Sequence, residues 1–204
     1  MRKTSKYLIL ASIFFIFLSI SSNALAATSN FYSAPGDGYL ENGYNSIWTA
    51  VRDAISATGA DYTATVGLDT GSFFDPTDNY KIMRGFIPVD TASLPDDAVI
   101  TSASFKLFIA SKNNNDNDGD DFISVVGPTT QASTASLLNA DYNKTSSQEL
   151  SNRFDITTIT TNAYNSFTLN AAGLLAINKT GFTMLGIREG HDLLNTAIDP
   201  TTAT

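Results

Sequence analysis

Between Val99 and Ile109 the chain alternates. Val99, Ala103, Phe105, Leu107 and Ile109 fall on one side, and Ser102, Ser104 and Lys106 on the other. A period of two is the mark of a strand with one face on a core and the other in water. The stretch from Arg84 to Val89 reads as a preceding strand, and Pro95, Asp96 and Asp97 supply the turn between the two. Further short strands are predicted near 29–33, 46–52, 62–68, 80–90, 98–110, 121–126, 153–159, 166–169 and 181–188. Turn residues separate them, among them Pro35 to Gly38, Asp75 to Asp78, and Gly127 with Pro128. Many short strands with frequent turns predict an all-β antiparallel sandwich or barrel. Two short helical turns are expected, over 135–139 and 171–178, the second with Asn170 as its N-cap and Gly181 shortly after its end.

Within this pattern Phe86, Phe105, Phe122, Phe167 and Phe182 lie on strand positions and are assigned to the core. Trp48 sits in an alternating segment and is assigned there too. Tyr32, Tyr39 and Tyr44 stand among Gly and Asn near the N-terminus. They are the candidates for a solvent-facing platform that stacks on sugar rings.

Composition changes the picture in three ways. Arg2, Lys3 and Lys6 precede an apolar run from Tyr7 to Ile20, and Ala24 and Ala26 flank Leu25. These are the three parts of a secretory signal peptide, with cleavage expected after Ala26. The apolar run is short for a membrane-spanning helix. The chain has no cysteine, which excludes disulfides, a thiol nucleophile and lipid attachment at the cleavage site. Residues 27–204, one domain, carry nine basic and twenty acidic side chains, a net charge of −11. That balance argues against nucleic acid and anionic membrane as partners. Seventeen of the twenty acids are Asp, which suits turns better than helices.

The acid is densest between Asn113 and Asp121. Oxygen donors at 114, 116 and 118 followed by Gly119 are spaced like the first half of a calcium loop, but position twelve is Val125 and the closing Glu is missing. The stretch therefore reads as a solvated acidic hairpin loop. The alternative is another hard-cation site, Ca2+ above all, with Asp116, Asp118, Asp120 and Asp121 as ligands. Catalytic patterns are weak. The one histidine, His191, rules out a His-rich zinc site, and no Gly-x-Ser-x-Gly elbow accompanies it. Scattered Asp residues do not define the paired carboxylates of a glycosidase, so the chain is expected not to be an enzyme, with a polysaccharide-active enzyme as the remote alternative. Arg84 is expected to make a buried ion pair or backbone contacts.

Several segments resemble the DNRLRE-type domains, secreted jelly-roll modules related to carbohydrate-binding modules. They are Phe31 to Tyr39 followed by Ile47 and Trp48, Arg84 to Phe86, Asp90 and Thr91, Ile100 to Ala103, Gly119 to Asp121, Tyr164 to Asn170, and Gly181 to Asp192. The resemblance implies an antiparallel β-sandwich of jelly-roll type. It also implies export, and a binding or adhesion role toward extracellular polysaccharide or another surface component. The rival expectation is a structural surface or assembly protein with no small ligand. Members of that family run on through at least one more strand after the segment matching Arg188 to Asp192. The turn-like residues after Arg188 therefore predict a C-terminally incomplete sandwich, a fragment or a subunit that takes its last strand from a neighbour.

Overall fold

The computed structural model describes residues 27–61, 67–75 and 77–199. The expected signal peptide and residues 200–204 lie outside the described residues, as does most of the strand expected at 62–68. Residues 31–204 form one unit; of the unit before it, only 27–30 are described, an exposed stretch without regular structure.

Among the described residues, nine strands and three short α-helices follow in order: β1 Gly38–Asn45, α1 Trp48–Arg52, β2 Gly59–Asp61, β3 Gly71–Phe74, β4 Tyr80–Asp90, β5 Ser104–Ile109, β6 Phe122–Val126, β7 Phe154–Asp155, β8 Ala163–Thr168, α2 Ala171–Ala176, β9 Phe182–Glu189 and α3 Gly190–Leu194. Seven strands build one sheet in the order β2-β1-β4-β9-β6-β7, with β3 added to β4, and β5 and β8 make a second sheet. Every ladder is antiparallel. The fold is all-β. Among the described residues no helix is long and apolar enough to cross a membrane.

The main core lies between the two sheets. Ile87 and Val89 of β4, Ile123 and Val125 of β6, and Leu185 and Ile187 of β9 pack there with Phe167 of β8, and Phe105, Leu107 and Ile109 of β5 close over them. The alternation read in β5 holds: Phe105, Leu107 and Ile109 are half-buried, and Ser104, Lys106 and Phe108 are exposed. Val99 departs from it. It precedes the ladder, stands 86% exposed, and lacks a neighbouring strand to set its face.

Strand β4 is buried almost throughout, which a strand covered on one face alone would not be. Its other face packs Phe86 with Leu40, Leu137 and Tyr142, and Tyr80 and Ile82 with Trp48 and Val51 of α1. Trp48 is a core residue as expected, but on a helix. Its periodicity over five residues could serve either element, and burying both Trp48 and Val51 against β4 is satisfied by one helical turn. β1 and β3 fall outside the strands that the pattern predicts; in β1, Gly and Asn carry no strand preference of their own, and the pairing with β4 overrides composition. The helical turn expected at 135–139 is displaced to a 3-10 segment at Asn139–Lys144. The turn from Ala171 is present, and the Asn170 side chain accepts from the Gly173 N–H at 2.9 Å.

Candidate functional site

The end of β9 sorts charged residues to two destinations. Successive side chains on a strand point to opposite faces, so Arg188 and Glu189 diverge. The following helix α3 repeats the division with His191 and Asp192.

Arg188 and Asp192 join a closed cluster. Asp192 accepts from Arg84 Nε and Nη2 at 2.8 and 2.6 Å and from Arg188 Nε and Nη2 at 2.6 Å each. Arg84 also donates to the Tyr142 and Arg52 carbonyls and lies 4.3 Å from the centre of the Tyr142 ring. Burial alone would raise the Asp192 carboxyl; the two guanidiniums outweigh it and hold the group at about 2, below its ordinary 3.8. The expected buried ion pair of Arg84 is thus present, and Asp192 is its partner. The two guanidiniums share the one carboxylate, and their other N–H groups donate to backbone carbonyls, so the cluster's polar groups are occupied.

Glu189 and His191 go elsewhere. Glu189 caps α3: its Oε1 accepts from the His191 backbone N–H at 2.9 Å and from the ring Nδ1 at 2.8 Å. A carboxylate only accepts, so Nδ1 carries the proton in that bond and Nε2 faces away from it. There Nε2 meets Asp118 Oδ2 at 3.3 Å and Asp116 Oδ2 at 3.4 Å. Burial by itself would lower the imidazolium, but Glu189, Asp118 and Asp116 together raise it to about 9.

Local geometry brings the acidic loop to this histidine. Gly119 has φ +106, a conformation that favours glycine, and its N–H donates to Asp121 Oδ2 at 3.1 Å. The Asp120 N–H donates to Asp118 Oδ1 at 2.9 Å, the leading reason why the Asp118 carboxyl is lowered. Gly190 has no room for a side chain, since a Cβ there would lie 1.9 Å from the Asp120 carbonyl oxygen. That close approach seats the loop on the start of α3. Asp121 is raised, by burial first and then by neighbouring Asp116.

A cavity of about 430 Å³ opens beside these groups, bordered by residues 69–74 on one side and 111–116 on the other, with Asp121, Glu189 and His191 in its wall. Three buried polar atoms of its lining have no hydrogen-bond partner: Glu189 Oε2, Asn114 Nδ2 and Ser72 Oγ. Buried polar atoms are rarely left unpaired. Phe73 adds an aromatic face that is 41% exposed. Among the described residues of the lining, Lys112 is the one basic side chain besides His191, and its Nζ donates to the Thr157 and Ile159 carbonyls.

Of the four acidic residues read as metal candidates, Asp116 and Asp118 share a compact donor set with His191, all three ligand atoms lying within 4.8 Å of one another. Asp121 sits beside Asp116, and Asp120 stands outside the donor set. The three tyrosines are not brought together. Tyr39 lies opposite Gly85 on β1, while Tyr44 occupies an irregularity with φ 64 near the far end of β4. Tyr32 precedes the Ser33–Val89 bridge at the other end. At a rise of about 3.3 Å per residue, successive tyrosines are more than about 10 Å apart along β4. Tyr32 and Tyr44 are exposed and Tyr39 is half-buried. Sequence reasoning missed Glu189 and paired His191 with nothing, because Asp118 is 73 residues away and the Glu189 contact, two residues away, depends on the turn from β9 into α3. The one local signal was the Glu-Gly-His step at the end of a predicted strand. Comparison with protein-family models, with curated proteins and with solved structures finds no match, so the site's own geometry carries the functional reading.

Proposed function

We propose that this protein is a secreted, non-catalytic binding module of jelly-roll type, and that it takes extracellular carbohydrate in the cavity between residues 69–74 and the acidic loop. The observation that carries the reading is the cavity lining: unpartnered Asn114 Nδ2, Ser72 Oγ and Glu189 Oε2 beside the exposed ring of Phe73. A few directional polar groups around an apolar surface suit a ligand with many hydroxyls and an apolar ring face. The surplus of carboxylates, with Lys112 already engaged, favours neutral or amino sugars over uronates and sulfated chains. The DNRLRE-like segments agree with this class of module.

A second reading, a structural surface or assembly protein, is favoured by a different place. On the outer face of the β5–β8 sheet, Phe108 and Tyr164 stand 54% and 74% exposed with ring centres 5.5 Å apart. A polysaccharide pull-down separates the two. Retention on a neutral polymer that falls with Phe73→Ala or Asn114→Ala supports the cavity, and retention lost instead with Tyr44→Ala moves the site to the tyrosines. No retention on any sugar, together with self-association that Tyr164→Ala abolishes, leaves the assembly reading.

A further inference from the structure

We propose that His191 Nε2, Asp116 and Asp118 form a binding site for a divalent first-row metal ion of the Zn2+ class, with Glu189 orienting the imidazole through Nδ1. Three observations carry it independently of the sugar reading. The first is donor geometry. Nε2 lies 3.3 and 3.4 Å from the two carboxylate oxygens. An ion with bonds of about 2.1 Å separates adjacent ligands by about 3.0–3.4 Å in octahedral or tetrahedral geometry. Both distances from Nε2 match that spacing, and all three ligand atoms lie within 4.8 Å of one another.

The second is the support behind the histidine. A ligating imidazole is typically held by a carboxylate on its other nitrogen, which sets both tautomer and ring orientation. Glu189 does this at 2.8 Å, from a cap position that the fold fixes. Glu189 is 95% buried and lines the cavity, and its second oxygen, Oε2, is buried without a hydrogen-bond partner. An isolated buried carboxylate oxygen is costly; a nearby cation relieves that cost.

The third is charge. Three carboxylates, Asp116, Asp118 and Glu189, converge on one imidazole, whereas an ordinary solvated acidic loop spreads its charges into water. Even a charged ring leaves a surplus of two negative charges, which a divalent ion offsets. The imidazole selects the metal. Ca2+ and Mg2+ prefer sites made of oxygen alone, while a mixed imidazole and carboxylate set suits Zn2+, Co2+ and Mn2+. Since Asp116 and His191 also line the cavity, an ion held there borders the proposed ligand space.

The test is equilibrium dialysis of the purified protein against Zn2+, with Co2+ absorption as a spectroscopic reporter and Ca2+ as the competitor. One ion per chain is expected, held more tightly than Ca2+, and Co2+ should develop ligand-field bands. Asp118 is 38% exposed on its side chain, so Asp118→Asn should fold normally and bind at least about 10-fold more weakly. Glu189→Gln should weaken binding by about 10–100-fold, whereas Asp120→Asn should leave it unchanged. Absence of saturable one-to-one binding would overturn the proposal. So would equal affinity in Asp118→Asn with an unchanged Co2+ spectrum, or tighter binding of Ca2+ than of Zn2+. Because no sugar enters the experiment, a failed pull-down leaves this result standing, and the reverse holds as well.

Discussion

Asp192 and His191 are neighbours on α3, and they illustrate two ways of burying charge. Asp192 accepts two guanidinium forks, and each arginine finds further carbonyls or an aromatic face. His191 meets carboxylates in excess, beside a cavity whose lining keeps polar atoms without partners. The first cluster is complete and ties β4, β9, α1 and α3 together. The second is incomplete, and an incomplete polar site kept at the end of a rigid sheet is the arrangement expected of a ligand site. Satisfaction of polar groups, rather than burial or charge alone, tells the two regions apart.

The comparison breaks most visibly at Asp192. Asp192→Ala leaves two buried arginines uncompensated and should cost about 3–5 kcal/mol, read from denaturant unfolding. A loss below about 1 kcal/mol would show that water reaches the cluster. Acid should act on the same group. Its carboxyl is held at about 2 in the folded state against an ordinary 3.8, so its contribution is full above about pH 5. It fades as pH falls through about 2, because the unfolded chain takes up the proton first. This limb amounts to about 2 kcal/mol, and it should be missing from the stability profile of Asp192→Asn.

The joint between the two regions comes next. Gly190→Ala drives a Cβ into the Asp120 carbonyl and the Phe122 ring, and overpacking of this kind costs about 1–3 kcal/mol. The variant should also release the acidic loop from α3, seen as loss of the slowing that Zn2+ brings to its amides. The smallest effect has the opposite sign. Asp121 is raised by burial and by Asp116, so the folded state disfavours its charge. Without metal, Asp121→Asn should hold or raise stability by up to about 1 kcal/mol, whereas a clear loss would mean that the carboxylate is already compensated.

The fold was legible where side chains alternate. In β5 the faces of Phe105, Leu107 and Lys106 follow from period two alone, and β4 and β9 match their expected spans closely. The polar segments were not legible. Gly38–Asn45 is a strand because β4 offers it a partner, and Trp48 is helical because packing chose between two elements that five residues cannot distinguish. The site was half legible. Asp116 and Asp118 are conspicuous in the acidic loop, but their convergence with His191 depends on β6 pairing with β9, a contact that local pattern does not encode. Arg84 showed a buried charge, while its partner Asp192 looked like one more turn aspartate.

Amide hydrogen exchange with and without Zn2+ tests the central contrast most directly. The backbone N–H groups of Asn117, Gly119 and Asp120 donate to carboxylates of the loop itself, so they report whether that loop is held. The account predicts fast exchange at these amides in metal-free protein, marked slowing on adding Zn2+, and no slowing in Asp118→Asn. Exchange at the three amides that is unchanged by Zn2+, or slowed equally in Asp118→Asn, would contradict it.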